Sequence, residues 1–538
     1  MIAIPNAESG FNVESSVIGT MIAPYKEFKD FIMIKFRKLV SGSISGLEAY
    51  RVFVEIVLTS GNSELFTLSG LPDSVVKESK TRVRAAIKLS GFSFPKETIV
   101  INLSPADLKK EGCFYDLAFA SGIIAAELNI EQEIFDDTMI IGELSLNGQV
   151  LPIHGILPMT IVAKKYGYSK IIVPSENYCE ASYVNGIEVI PIAHLSEIRN
   201  FFSGTLSTCT FPMKKPATIK SDMDFKDIAG QDDAKRALEI AASGKHNIFL
   251  IGPPGVGKTM LAKRLPTILP PMDEIEILKT SEIYSIAGLL DSREGLMRNR
   301  PFRAPHHSIS YAGLVGGGTN PRPGEISLAN NGVLFLDELL EFKKSVLEVL
   351  RQPLEQKKIT ISRAAGSATF NCDFQLITAT NLCPCGNMGL QKKQCVCTPR
   401  QVSVYTSKLS SPLSERIDMK IMIPQVSTTT LLNKNNCEDS EEVLKRVLRS
   451  REIQLERYKN ESFNCNSEIP DGKIDMFCIL ENDAKVLLNK AIETFDLSAR
   501  SFSKIKKLAR TIADCSNSCS ITKEHVSESI HFNKRLFS

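Results

Sequence analysis

The stretch Gly252-Pro253-Pro254-Gly255-Val256-Gly257-Lys258-Thr259 constrains the fold of this chain more than any other feature. It fits the pattern G-x-x-x-x-G-K-[ST] without a mismatch, an apolar run (247–251) precedes it, and a helix-forming run (260–265) follows it. Glycines in such a loop let backbone N–H groups surround phosphates at the positive end of a helix. The lysine reaches the β- and γ-phosphates, and the hydroxyl is a ligand for Mg²⁺. The order of strand, loop and helix predicts an ATP site with Mg²⁺ on Thr259, and a glycine-rich turn with an idle lysine explains it less well.

Two carboxylates follow a second apolar run downstream. Residues 333–336 read as a buried strand that ends in Asp337 and Glu338. Sheets of the α/β class bind ligands at the carboxyl ends of their strands. We therefore expect Asp337 to hold magnesium through water and Glu338 to orient and deprotonate the attacking water. A third strand-like run, 374–380, ends at Asn381, which is suited to position the same water.

The order and spacing of these motifs resemble those of the AAA+ ATPases, with Walker A, Walker B and sensor 1 in sequence. The resemblance implies that Arg416 is an arginine finger that reaches the ATP of a neighbouring subunit. It also implies that Arg500 is the second sensor and touches the γ-phosphate of its own subunit. A finger that acts between subunits requires a ring or at least a dimer.

Composition is that of an ordinary globular protein with 538 residues, 43% hydrophobic and 23% charged. The formal charge of +3 gives no global basic field, so any contact with nucleic acid must be local. The sequence has no signal-peptide pattern and no apolar run near 18 residues, which predicts a cytoplasmic protein without a membrane span. The 13 cysteines are an odd number, which argues against a disulfide framework.

Four cysteines form two close pairs immediately after the third strand. They are Cys383, Cys385, Cys395 and Cys397. Four soft ligands in two clusters suit a tetrahedral structural Zn²⁺ site. The spacing is tighter than the usual C-x₂-C, so reduced structural cysteines and a redox switch are the alternatives.

The N-terminal part has the pattern of a different α/β domain. It includes a strand at 99–103, an Asn147-Gly148 hairpin turn and a strand at 170–174. This stretch resembles the peptidase domain of the Lon family, of the ribosomal-protein-S5-like type. The resemblance places Phe114 where Lon peptidases have their serine and Met159 where they have their lysine. Without a nucleophile and its base the domain is predicted to be proteolytically inactive, and the neighbouring Cys113 has no obvious base.

A Lon-like domain followed by a P-loop module is a specific combination. Together with 303–307, 350–355 and the paired cysteines, it resembles the ComM/YifB family of magnesium-chelatase-like AAA+ proteins, from about Ser41 to the C-terminus. The family resemblance implies a hexameric ATPase that drives DNA branch migration in recombination and natural transformation, with recombination proteins as partners. Two other functions remain open, a protein-remodelling ATPase and an ATP-dependent peptidase, and Phe114 and Met159 oppose the second.

A basic hairpin between the second and third strands is the predicted DNA contact. Residues 356–370 have β-branched residues on both sides of a small-residue tip, and related motors line their pore with such a hairpin. Lys357, Lys358 and Arg363 are the candidates for phosphate contacts, and a solvated basic hairpin is the alternative. His306 and His307 invite a metal interpretation, but they lack a third ligand nearby, which favours a polar loop role.

The predicted fold class is α/β, with the Lon-like domain first, a parallel-sheet AAA+ core second and a helical lid last. Met33 is hypothesised to be the initiator, because the family resemblance begins only near Ser41. The predicted segments are an N-terminal extension (1–40), the inactive Lon-like domain (41–203), a linker (204–224), the ATPase core with its cysteine loop (225–427, 383–397) and the C-terminal lid (428–538).

Overall fold

The structure is a computed structural model. It describes residues 34–59, 65–106, 110, 112–205, 223–291, 294–318, 321–363, 366–390, 393–409, 411–426, 438–495 and 497–533. The hypothesised initiator Met33, the residues before it and most of the predicted linker lie outside these ranges.

The described strands are β1 Lys35–Ser45, β2 Glu48–Thr59, β3 Phe66–Ser69, β4 Thr98–Ser104, β5 Thr138–Ile140, β6 Glu143–Leu144, β7 Val150–Leu151, β8 Lys170–Pro174, β9 Glu188–Ile192, β10 Ile248–Ile251, β11 Phe302–Arg303, β12 Gly316–Gly317, β13 Arg322–Pro323, β14 Val333–Leu336, β15 Lys358–Arg363, β16 Gly366–Asn371, β17 Gln375–Thr380 and β18 Met419–Met422. The helices of the first two domains are α1 Ser74–Leu89, α2 Asp116–Glu127, α3 Ile156–Lys165, α4 Tyr178–Ala181, α5 Ile198–Phe202, α6 Asp232–Gly244, α7 Lys258–Ile268, α8 Glu274–Ala287, α9 Tyr311–Val315, α10 Glu325–Leu328, α11 Lys344–Glu348, α12 Arg351–Gln356, α13 Pro399–Thr406 and α14 Ser411–Ser414. The helices of the C-terminal region are α15 Ser440–Arg457, α16 Ile474–Phe477, α17 Asn482–Phe495, α18 Ala499–Cys515 and α19 Lys523–His531.

The N-terminal domain is built on a mixed seven-stranded sheet with the order β3-β4-β2-β1-β5-β8-β9. β2 alternates buried and half-buried positions, as expected of a strand with one face on a core. Against it packs α2, which is apolar all round and almost wholly buried. β1 begins at Lys35 and pairs with β2 over its whole length, so the boundary predicted at Ser41 cuts through a strand and the domain begins at least six residues earlier.

The second domain is built on a parallel five-stranded sheet with the order β11-β14-β17-β10-β18. β10, β14 and β17 are buried at every position, because helices cover both faces of such a sheet. The carboxyl ends of these three strands lead into the P-loop, Asp337 and Asn381. The predicted α/β class and parallel ATPase core are confirmed.

The C-terminal region is helical, as predicted, and packs on the ATPase core. α15 and α18 lie against α6, and apolar residues of both helices join the core under the parallel sheet. A second apolar cluster of this region unites α17, α18 and α19. Among the described residues, no helix is long and apolar enough to cross a membrane.

The N-terminal domain docks on α8 of the ATPase core. The Gly155 N–H donates to the Ser285 carbonyl over 3.0 Å, and the Ser285 hydroxyl donates to the Glu180 carboxylate over 2.7 Å. Burial raises the pKa of Glu180. The turn between β1 and β2 reaches the β15–β16 hairpin, since a Cβ added at Gly46 would lie 2.4 Å from the Ala368 side chain.

Candidate nucleotide site and nucleic-acid interface

The P-loop has the backbone that its glycines predict. Gly252 leaves β10 so close to β18 that an added Cβ would lie 2.4 Å from the Ile423 carbonyl oxygen. Gly257 has a φ of 94°, in the left-handed region that favours glycine, and Lys258 begins α7 directly after it. The loop therefore ends at a helix N-terminus, where backbone N–H groups and the helix dipole attract phosphate.

Lys258 lies at the centre of this loop. Its ammonium group donates to the carbonyl oxygens of Gly252 and Pro253 over 2.7 and 2.8 Å and to Asn381 Oδ1 over 3.0 Å. Burial lowers the pKa of Lys258, and the nearby carboxylates of Asp337 and Glu338 oppose that shift. The predicted Walker A lysine and sensor 1 thus lie in direct contact.

The predicted magnesium ligands are also adjacent. The Thr259 hydroxyl donates to Asp337 Oδ2 over 2.6 Å, and the Glu338 N–H donates to Asp337 Oδ1 over 2.9 Å. One hydroxyl and one carboxylate at the edge of a phosphate site are a donor set that Mg²⁺ accepts together with phosphate oxygens and water. These residues fit the ion.

Glu338 stands at the turn after β14 with its side chain half exposed. Its φ and ψ are 52° and 46°, a left-handed conformation for a residue that is not glycine. His307 Nδ1 lies 3.1 Å from Glu338 Oε2. From the sequence, His307 was considered only as a metal ligand beside His306 or as a polar loop residue, so this contact was not predicted.

Arg416 and Arg500 lie together at the other end of the sheet. Asn247, which precedes β10, donates from its side chain to the Arg416 carbonyl over 3.1 Å. The five residue steps from Asn247 to Gly252 span roughly 16 Å of extended strand. Arg500 Nη1 is 2.5 Å from Glu415 Oε2, and Arg416 pairs with Glu355. Burial, and then the nearby charges of Arg500 and Arg351, lower the pKa of Arg416.

The expectation that Arg500 touches the γ-phosphate of its own subunit does not fit this position. Its guanidinium is bound beside Arg416, at the amino end of the sheet, whereas the P-loop leaves the carboxyl end. The position of Arg500 follows from the orientation of α18, which begins one residue before it. That orientation depends on how the lid packs on the core, and local sequence does not predict it.

The four cysteines converge on one point. Their sulfur atoms all lie within 4.8 Å of one another, and the three resolved separations among Cys383, Cys385 and Cys395 are 3.4 to 3.7 Å. Tetrahedral Zn²⁺ with Zn–S bonds of about 2.3 Å requires sulfur separations of about 3.8 Å. Backbone N–H groups of Asn387 and Val396 lower the pKa of Cys385 to about 6, whereas burial and the neighbouring thiols raise the pKa of Cys395 to about 12 against the opposing backbone N–H of Cys397, so the case for a metal rests on the geometry of the four sulfur atoms. The cluster fits zinc.

The cysteine loop packs directly on the P-loop. A Cβ added at Gly386 would lie 3.2 Å from the Pro254 ring, and one added at Gly389 would lie 3.4 Å from the Pro253 ring. The conformation of this cysteine loop therefore bears on the conformation of the phosphate site.

The predicted hairpin is present between the second and third strands of the sheet, with β15 and β16 in antiparallel register from Lys358↔Asn371 to Arg363↔Gly366. One face, including Ile359, Ile361 and Phe370, is buried in the ATPase core. The exposed face carries paired hydroxyls, with Thr360 and Thr369 at 3.0 Å and Ser362 and Ser367 at 3.2 Å. Hydroxyl groups are common phosphate contacts, and the sequence analysis did not select these four residues.

The three predicted cationic contacts occupy different places on the hairpin. Lys358 is exposed at the base of the hairpin. Arg363 is the last residue of β15, and its side chain lies outside the described part of the structure. Lys357 is engaged within the protein, since it pairs with Glu468 of the lid and lies 3.2 Å from Asp373. Lys245 pairs with the same two carboxylates, Asp373 at 2.6 Å and Glu468 at 3.2 Å. Because these ion pairs engage its ammonium group, Lys357 is a poor DNA ligand. Its partner Glu468 lies 111 residues further along the chain.

In the N-terminal domain, Met159 is buried and Phe114 packs against the same apolar cluster. Beside them the Cys113 thiol donates to Glu143 Oε2 over 2.6 Å. Burial, and then this carboxylate, raise the pKa of Cys113 to about 12. The two residues predicted to replace the Lon serine and lysine thus belong to one apolar cluster, and the nearby thiol is kept protonated.

Comparison with known families matches three segments of the chain. Residues 224–431 match the family described as "Magnesium chelatase, subunit ChlI", residues 54–177 match "Subunit ChlI of Mg-chelatase", and residues 437–533 match "Magnesium chelatase, subunit ChlI C-terminal". These segments correspond to the ATPase core, the N-terminal domain and the lid.

Similar proteins extend over nearly the whole chain. Competence protein ComM of Haemophilus influenzae is 40% identical over 495 residues, which are 90% of this chain and 95% of that protein. The YifB protein of Escherichia coli is 39% identical over 492 residues, with 90% and 95% coverage. Lon protease 2 of Bacillus subtilis is 29% identical over 164 residues, which are 28% of this chain and 28% of that protein.

Proposed function

The chain belongs to the ComM/YifB family of magnesium-chelatase-like AAA+ proteins, and from this premise we propose that it is an ATP-driven ring motor that moves DNA strands. The observation that carries the proposal is the β15–β16 hairpin. It lies in the chain between β14, which is followed by the Walker B acids, and β17, which is followed by the sensor 1 residue Asn381. A change at the nucleotide has a short covalent path to such a hairpin. Identity to a protein named for competence supports a role in natural transformation. Branch migration in recombination, with recombination proteins as partners, is the finer role that the family resemblance implies and that we propose.

ATP hydrolysis is assigned to the residues at the carboxyl ends of β10, β14 and β17. The P-loop N–H groups and Lys258 bind the phosphates, and Thr259 and Asp337 would hold Mg²⁺. The ion supplies charge neutralisation of the β- and γ-phosphates when bound. Glu338 takes the proton from the attacking water, and Asn381 orients that water from its contact with Lys258.

Arg416 and Arg500 are assigned to the ATP of the neighbouring subunit. Both lie at the amino end of the parallel sheet, about one strand length from their own P-loop. A head-to-tail contact that closes into a ring would bring this edge of one subunit to the nucleotide of the next. We propose a hexamer, the ring size that the family resemblance implies.

DNA is assigned to the exposed face of the hairpin. Thr360, Ser362, Ser367 and Thr369 line that face, Lys358 stands at its base and Arg363 near its tip. Hydroxyl and cationic contacts to phosphates hold a strand without reading its sequence, which suits a translocating motor. The four cysteines would hold a structural Zn²⁺ beside the P-loop, and the N-terminal domain would serve assembly without peptidase activity.

A protein-remodelling ATPase is the second candidate function. It is favoured by the match of all three segments to magnesium-chelatase subunit families. The two functions differ in whether DNA changes the rate of ATP hydrolysis.

The test is ATP hydrolysis by the purified full chain at fixed salt, with and without single-stranded and four-way-junction DNA. Glu338→Gln serves as the blank, because removal of a general base lowers turnover by roughly 10²–10⁴. We expect several-fold stimulation by DNA. Hydrolysis that is indifferent to both DNAs would favour a protein substrate.

A pair of variants locates the DNA contact. Lys358→Glu, at the hairpin base, should lower stimulation by DNA and leave the DNA-free rate unchanged. Lys445→Glu, on an exposed face of the lid helix α15, is the charge-matched control and should behave like the unmodified chain. Equal effects of both changes would point to the general field of the protein and against the hairpin.

A further inference from the structure

The helix α1 of the N-terminal domain carries a basic strip along one side. The four residues of the strip recur at intervals of three or four and are Lys77, Lys80, Arg84 and Lys88. Since each residue of an α-helix turns by about 100°, these positions fall within an arc of roughly 80° and span about 16 Å of helix. Glu78, the one acidic residue of α1, lies outside that arc.

Aromatic rings lie under the cations of the basic strip. Lys80 Nζ is 5.9 Å from the centre of the Phe66 ring, and Lys88 Nζ is 5.9 Å from the centre of the Phe94 ring. The Arg84 guanidinium lies over the same Phe94 ring at 5.2 Å. The two rings are half-buried neighbours with centres 6.5 Å apart. A cation over a ring face is held in place and keeps its full charge.

The helix α5 extends the strip by one more cation, since the Arg199 guanidinium lies 5.0 Å from the centre of the Phe92 ring. Within the part of the chain that the structure describes, the side chains of Lys80, Lys88 and Arg199 contact these rings and form no ion pair with a carboxylate. Arg82 of the same helix differs, because it pairs with Asp116 at 2.8 Å. The positive charge of the strip is therefore left for a partner outside the domain.

The strip stands on the outer face of the N-terminal sheet. α1 and α2 share one apolar cluster with Val52 and Val54 of β2, whereas α3 shares another with Phe53 on the opposite face of the same strand. α3 is also the helix that packs on α8 of the ATPase core. The basic strip thus lies on the face of the sheet opposite to the docked one.

We propose that the basic strip of α1, extended by Arg199, is a second binding site for single-stranded DNA. Cations in a row neutralise successive phosphates whatever the bases are, and rings and guanidinium planes beside them are surfaces on which unpaired bases stack. An acidic protein would use the charges and leave the rings without a role, so the combination favours nucleic acid. The inference rests on the proposed function in taking DNA as the ligand, and it places a grip on the strand outside the hairpin.

The test measures binding of a fluorescent oligothymidylate to the full chain by anisotropy, without ATP and at several salt concentrations. The double substitution Lys80→Gln and Lys88→Gln should weaken binding roughly tenfold and lower the slope of log K against log salt by about 1.4, because each phosphate contact to a single strand accounts for about 0.7. A strand of mixed sequence should lose affinity equally. Lys164→Gln with Lys165→Gln, two exposed lysines of α3 in the same domain, is the matched control and should change neither quantity.

Three results would overturn the site. They are an affinity within twofold of the unmodified chain, an equal loss in the control, and weaker binding with an unchanged salt slope, which would assign Lys80 and Lys88 to the fold. Binding of polyglutamate that depends on both lysines, with DNA affinity unchanged, would identify an acidic protein as the occupant and would also overturn it.

The outcomes separate this inference from the proposed function. Binding that depends on the basic strip, together with hydrolysis indifferent to DNA, would keep the site and remove the motor. Stimulation of hydrolysis by DNA that depends on Lys358, together with binding indifferent to the strip, would keep the motor and remove the site.

Discussion

The two α/β domains of this protein differ in the side chains that stand at their candidate sites. At the carboxyl edge of the ATPase sheet, Lys258, Thr259, Asp337 and Asn381 converge within hydrogen-bond distance. In the N-terminal sheet, the positions that resemble a peptidase site hold Phe114 and Met159 in an apolar cluster. Membership of the α/β class therefore says little about chemistry, which depends on the side chains at the site.

Both candidate sites contain several polar side chains, so the number of such side chains does not distinguish them. The N-terminal domain keeps Cys113, Glu143, Arg82 and Asp116 in contact, with Arg82 Nε 2.8 Å from Asp116 Oδ2. There each charge or thiol is satisfied by a partner within the domain. In the ATPase sheet the polar groups face an open edge where a phosphate chain can enter.

Among the substitutions that test the contrast between the two domains, Arg416→Ala should have the largest effect. If hydrolysis needs an edge contributed by a second subunit, turnover should fall by roughly 10³ or more while ATP binding is spared. Steady-state hydrolysis and equilibrium binding of ATP measure the two effects separately.

Arg449→Ala, on an exposed position of the lid helix α15, is the control for Arg416→Ala and should be unaffected. Turnover like that of the unmodified chain in Arg416→Ala would remove the finger assignment and, with it, the argument for a ring.

Loss of the cysteine cluster should have an intermediate effect. Cys385→Ser is expected to lower bound zinc and to weaken ATP binding about fivefold, because Pro253 and Pro254 lose packing worth on the order of 1 kcal/mol. Elemental analysis and equilibrium ATP binding are the measurements.

Cys519→Ser, at an exposed cysteine outside the cluster, is the control for Cys385→Ser. Unchanged ATP binding after zinc loss would separate the cysteine loop from the phosphate site.

The smallest effect is expected in the N-terminal domain. With a pKa of about 12, Cys113 is thiolate in only about one molecule in 10⁴ at pH 8, so iodoacetamide should modify the exposed Cys519 long before Cys113. Mass spectrometry of the alkylated native protein measures the ratio.

Cys113→Ala should leave ATP hydrolysis within about twofold, because the thiol serves only its own domain. Fast alkylation of Cys113, or peptide hydrolysis lost in this variant, would place a reactive site where we describe a satisfied one.

Local sequence was sufficient wherever one strand and its following loop build the site. The P-loop, Asp337 and Asn381 were predicted in this way, because parallel strands bring their carboxyl ends to one edge. The cysteine cluster was likewise predicted from two close pairs.

What the sequence could not predict depends on pairing between distant segments. The place of Arg500 follows from the docking of α18, and the engagement of Lys357 follows from Glu468 of the lid. The contact of His307 with Glu338 depends on a strand of only two residues, too short for a periodic pattern to reveal. The start of β1 at Lys35 was not predicted for a different reason. The family resemblance is recognisable only from about Ser41, which lies inside the strand.

The ion pairs of Lys357 and Lys245 with Glu468 have a mechanical consequence. The pair from Lys357 fastens the base of the hairpin to the lid, and the pair from Lys245 fastens the end of α6 to the same carboxylate. Because one face of the hairpin is buried in the ATPase core, a movement of the lid at Glu468 would strain the hairpin base and α6 together.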